Sequence, residues 1–70
     1  MRILEQRRGY FRGTHKTCTI EIERDREYLD RHFYIRVQTV EGGHLYDGWS
    51  PEGITTIKAA KREALRGAML

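Results

Sequence analysis

The chain has a single cysteine, Cys18, among 70 residues, so no disulfide can close within it. The stapled architecture of small secreted scaffolds is thereby excluded, and a reducing, cytoplasmic setting is expected. No apolar run approaches the roughly 20 residues of a membrane helix. The start, Met1-Arg2-Ile3-Leu4-Glu5-Gln6, lacks the apolar core of a secretion signal, so no membrane partner is expected. Proline occurs once, at Pro51. There is no phosphate-cradling glycine motif, no Ser-His-Asp arrangement, and little chain from which to enclose a substrate pocket. The expectation is a non-enzymatic protein without a cofactor.

Metal chemistry is equally thinly supplied. His15 and Cys18 have a spacing seen in metal sites, but a second pair is missing and His32 and His44 would have to be recruited from a distance. Cys18 falls in the apolar phase with Ile20 and Ile22, where a thiol behaves as a small hydrophobe. The acids Glu21, Glu23, Asp25, Glu27 and Asp30 read as a solvated face, because Arg36 on a neighbouring strand can pair with Glu21 or Glu23. No metal is expected.

What the chain does hold is charge: 13 Lys and Arg against 10 Asp and Glu, a third of all residues. The distribution is uneven. Residues 1–16 carry Arg2, Arg7, Arg8, Arg12 and Lys16 against Glu5, the middle is acidic, and residues 48–70 return Lys58, Lys61, Arg62 and Arg66 against Glu52 and Glu63. If the two basic ends meet in the fold, they make a surface suited to phosphate.

Seventy residues suffice for one domain, near the lower limit of what folds alone, so a homodimer would be a natural relief. Thr17–Arg24 and Phe33–Val40 alternate apolar and polar residues and are expected to be half-buried strands. The connection between them, Asp25–Arg31, is longer than a tight hairpin and has room for a helical turn. Glu41-Gly42-Gly43 predicts a hairpin turn into a partner strand over His44–Trp49. Gly9 and Gly13 bracket Tyr10-Phe11-Arg12, a short edge strand in which one of the two aromatics must face outward. After Ser50-Pro51, an amphipathic helix capped by Thr55 or Thr56 sets Lys58, Arg62 and Arg66 on one stripe opposite Ile54, Ile57, Ala64, Leu65 and Ala68. The resulting fold class is α+β, an antiparallel sheet of three to four strands packed on one C-terminal helix. Its expected core is Ile20, Ile22, Phe33, Ile35, Val37, Leu45, Ile57 and Leu65, with Trp49 filling the gap between sheet and helix.

The rhythm of FYIRVQTVEGGHLYDGW followed by TTIKAAKREAL resembles the three-strand-plus-helix DNA-binding domains of phage integrase arms and plant AP2 factors. The helix also resembles the basic helix of double-stranded RNA-binding domains. The likeness is one of pattern over about half the chain, and it implies DNA or RNA binding. Three groups of residues fit that function: the helix bases Lys58, Lys61, Arg62 and Arg66; the N-terminal Arg7, Arg8 and Arg12 interleaved with Tyr10 and Phe11; and Tyr34, Arg36 and Gln38 on the outward sheet face. The alternative is a protein-interaction module or inhibitor of the phage or mobile-element type, whose arginines and aromatics would serve an interface with a host protein or nucleoprotein complex.

Overall fold

The computed structural model describes residues 1–25 and 33–70. Five strands follow one another as β1 (Arg2–Arg7), β2 (Tyr10–His15), β3 (Cys18–Arg24), β4 (Phe33–Gln38) and β5 (His44–Trp49), and a single helix, α1 (Ile57–Gly67), closes the chain. The strands pair antiparallel in chain order, β1-β2-β3-β4-β5, and form a simple meander. The α+β class and the C-terminal helix agree with expectation; the sheet has five strands rather than three or four. The additional strand is β1, joined to β2 through Arg8 and Gly9, the latter at φ 76°. Its residues are exposed except for a half-buried Glu5, so it lacks the apolar alternation by which a strand is recognised. The expected helical turn between β3 and β4 falls almost wholly outside the described residues.

In β2, β3 and β4 every second side chain is buried. Phe11, Ile20, Ile22, Phe33, Ile35 and Val37 lose all solvent contact, and burial of each such side chain contributes about 1.5–3 kcal/mol. Phe11 faces inward and Tyr10 outward, which settles which aromatic of that pair joins the core. Gly13 is required beneath it. A Cβ there would lie 2.6 Å from the Arg2 carbonyl oxygen and 2.8 Å from Phe11 Cζ, because the phenyl ring lies across the glycine.

The helix spans β3, β4 and β5. Thr56 is its N-cap, the Oγ1 accepting from Ala59 N at 3.1 Å; β-branched Ile54 and Thr55 stay outside it, consistent with their poor fit to a first turn. Small residues allow close approach: Ala60, Ala64 and Ala68 form the buried seam, while Ile57 and Leu65 pack at its margins, half-buried. Two expectations for β5 are overturned. Leu45 is exposed and Tyr46 takes the inward place, because the pairing with β4 shifts by one residue between Val37 and Gln38 and inverts the alternation. Trp49 lies 54% exposed on the far side of the sheet rather than beneath the helix.

Candidate binding surfaces

Register decides which side chains share a face, since residues directly opposite each other on paired strands point the same way. On the face away from the helix the pairings line up one residue from each strand: Glu5, Arg12, Glu21, Arg36, Asp47. Charge sign alternates across the whole row. Arg12 stands 3.7 Å from Glu5, and Arg36 lies 3.1 Å from Glu21 and 4.0 Å from Asp47. Such half-exposed pairs contribute a few tenths of a kcal/mol each, up to about 1. Their larger consequence is electrostatic, because every arginine in the row already has a carboxylate beside it.

The adjacent row reads Arg7, Tyr10, Glu23, Tyr34, Trp49. Arg7 lies over the Tyr10 ring, 4.5 Å from its centroid, and pairs with Glu5 at 3.2 Å. The Tyr10 hydroxyl donates to Glu21 at 2.7 Å, and the Tyr34 hydroxyl donates to Asp47. Both phenols are held above their usual pKa, chiefly because the neutral form supplies that hydrogen bond. Tyr34 and Trp49 meet edge to face, with centroids 5.1 Å apart and planes at 88°. Between the rows lies a shallow recess of about 370 Å³ lined by Glu21, Glu23, Tyr34, Arg36 and Trp49.

The helix presents a different chemistry on the opposite side of the sheet. Lys58 and Arg62 are exposed and, one turn apart, take part in no ion pair among the described residues. Lys58 occupies the first turn, where no acid is present, although the positive end of the helix dipole favours one. Lys61 leans back, its Nζ 4.2 Å from the centre of the Phe11 ring, and shields the core beyond the edge of the helix. Arg66 is fully engaged: its Nε and Nη2 donate to the two Glu63 oxygens at 2.9 and 2.8 Å. Those hydrogen bonds hold the Glu63 carboxyl below its usual pKa and raise that of Arg66.

The residues singled out from sequence therefore divide into two sets. Arg7, Tyr10, Arg12, Tyr34 and Arg36 share the open sheet face, with Arg8 in the turn at its rim; Lys58, Lys61, Arg62 and Arg66 belong to the helix behind. The basic ends do not merge into one surface. Sequence reasoning missed Glu5 and Asp47, which complete the charge row, and the outward place of Trp49. The signal for all three was register, which needs the β1–β2 turn and the β5 bulge to be located first. Among the described residues no three His, Cys, Asp or Glu side chains gather as a metal site, and no helix is long and apolar enough to cross a membrane.

Comparison with known proteins returns no match among family models, curated proteins or solved structures. Its function is therefore read from the geometry of the two faces.

Proposed function

We propose that the protein is a small, non-enzymatic nucleic-acid-binding domain whose helix contacts phosphate. The observation that carries this reading is the state of the cations. On the sheet face Arg7, Arg12 and Arg36 each stand beside a carboxylate, whereas Lys58 and Arg62 on the helix are exposed and unpaired among the described residues. A phosphate approaching the sheet must displace Glu5, Glu21 or Asp47 and meet Glu23 as well. One approaching the helix meets unopposed charge, reinforced by the positive end of the helix dipole at the Thr56 cap. This narrows the expectation formed from sequence: the helix bases serve the contact, and the arginine-rich N-terminal strands do not share it.

The test is salt-dependent titration of double- and single-stranded DNA and RNA. Lys58→Gln with Arg62→Gln should weaken binding at low salt and reduce the salt slope by about two, one for each phosphate that the variant no longer neutralises. Arg7→Gln with Arg12→Gln should leave both almost unchanged. Full affinity in the helix variant would remove the helix from the site.

A second reading, a protein-interaction module, is favoured by a separate observation. Trp49 and Tyr34 are held in a fixed mutual geometry on a face that no other element covers among the described residues, and aromatic residues of this kind anchor protein interfaces. The two readings concern opposite faces and are compatible.

A further inference from the structure

We propose that the recess on the open sheet face receives a cationic side chain, arginine or lysine, from a protein partner, seated against the ring of Trp49 and neutralised by Glu23. The inference rests on the second reading above and names the partner's chemistry.

Across the two rows, the carboxylate that stands apart is Glu23. Each carboxylate of the charge row has an arginine beside it, whereas Glu23 stands between Tyr10 and Tyr34 in the neighbouring row. It is exposed and takes part in no ion pair among the described residues. Arg36, the one cation lining the recess, is already shared between Glu21 and Asp47. The recess thus offers a carboxylate without a counter-charge, and its one cation is already shared between two others. An anion would have to compete with Glu21 and Asp47 for Arg36 and lie beside Glu23.

The walls favour the same ligand. A cation is attracted to the face of an aromatic ring and binds best to tryptophan, the more so when a carboxylate completes its coordination. Trp49 supplies an exposed indole as the cation's platform, and Tyr34, perpendicular to it and itself covered by the Arg36 guanidinium 5.5 Å from its centroid, fixes that indole. Tyr34 is itself anchored by its hydroxyl to Asp47, so the corner is formed before any ligand arrives. About half open to solvent, the recess suits one long side chain from a larger partner better than a whole small molecule, which needs enclosure.

The experiment is an NMR titration of the isotope-labelled full chain with the peptide acetyl-Arg-Gly-Arg-Gly-amide and with its citrulline counterpart, which keeps the shape and removes the charge. With a single tryptophan in the sequence, the indole N–H signal reports Trp49 without ambiguity. The arginine peptide should shift that signal together with the amides of Glu23 and Tyr34, with a dissociation constant on the order of millimolar. The citrulline peptide should not. Glu23→Gln should weaken the arginine peptide about fivefold, Trp49→Ala should abolish the response at Glu23 and Tyr34 with the circular dichroism unchanged, and Lys58→Gln with Arg62→Gln should have no effect. Equal shifts from the two peptides would overturn the cation claim while leaving a peptide-docking face. No shift from either peptide at about 10 mM would overturn both. Movement of Trp49 by an oligothymidine instead would give the face to single-stranded nucleic acid, and movement on simple dilution would give it to a second copy of the chain; each would overturn the proposal.

Discussion

The Tyr46 hydroxyl donates a 2.9 Å hydrogen bond to Glu63 Oε2 and so ties the outermost strand to the helix. Glu63 is only 7% exposed and would be an expensive buried charge, but Arg66 closes on it from the solvent side with two further hydrogen bonds. The triad explains a feature that helical periodicity treats as an error, an acid on the buried side of the helix. It also has a measurable pH signature.

Burial first, then the hydrogen bond to Glu63 and the charge of that carboxylate, push the Tyr46 phenol up to about 12 from an ordinary value of 10.0. The folded protein therefore keeps a proton that the unfolded chain releases, and the associated stability is complete below pH 10 and declines as pH rises from there to about 12. Glu63 works in the opposite sense: its lowered pKa, caused mainly by Arg66, contributes stability at neutral pH that disappears as pH falls below its ordinary value of 4.5. Urea unfolding midpoints followed through the alkaline range should fall more steeply for the native chain than for Tyr46→Phe. Parallel slopes would show that Tyr46 is not the titrating group responsible.

The same tyrosine makes a side chain unfavourable at Gly67. Glycine in a helix interior costs about 1 kcal/mol relative to alanine, and Gly67, the last residue of α1, bears part of that cost, so Gly67→Ala looks neutral to favourable from sequence. A Cβ at that position would lie 2.3 Å from Tyr46 Cε2 and 2.4 Å from Cδ2. The ring cannot easily retreat, since its hydroxyl is held by Glu63. Gly67→Ala should therefore destabilise by about 1–3 kcal/mol, seen as a lowered melting midpoint. In a Tyr46→Ala background the sign should reverse, because the helix gain then stands alone.

These relationships show why some of the molecule was legible in its sequence and some was not. Alternation exposed β3 and β4 because both bury every second residue, and Glu41-Gly42-Gly43 announced the hairpin before β5, where Gly42 sits at φ 91°. Arg36 is expected from sequence to pair with Glu21 or Glu23, and the β3–β4 register selects Glu21. β1 stayed hidden because an edge strand open to solvent on both sides has no apolar period, and Leu45 and Trp49 were turned to the wrong side because one shifted residue inverts a strand. The helix bases were legible as a stripe; Arg66 is consumed by Glu63 three residues back on the same helix, whereas the hydrogen bond that ties Glu63 to the sheet depended on Tyr46 arriving from β5. The sheet face is a product of tertiary register, so its residues could be named in part but not assembled.

The turn between β2 and β3 is the clearest case of a hidden element, and it invites repair. Lys16 and Thr17 join the strands as a two-residue hairpin, flanked by the pair His15 and Cys18, with φ values of 48° and 68°. Turns of this form demand positive φ at both central residues and ordinarily use Asn-Gly; a β-branched threonine is poorly suited to it. Nothing in the sequence marks such a turn, since Lys-Thr carries none of the usual residues. The left-handed conformation costs about 1–2 kcal/mol per non-glycine residue, and asparagine and glycine relieve most of it. Replacing Lys16 by Asn together with Thr17 by Gly should keep the register of Cys18, Ile20 and Ile22 against β2 and raise stability by about 2 kcal/mol, roughly 10 °C in the melting midpoint of a domain this size. A lower or unchanged midpoint would show that the two residues are not held in that conformation in solution, and that the β2–β3 register is fixed by the core pairs Phe11–Ile22 and Gly13–Ile20 alone.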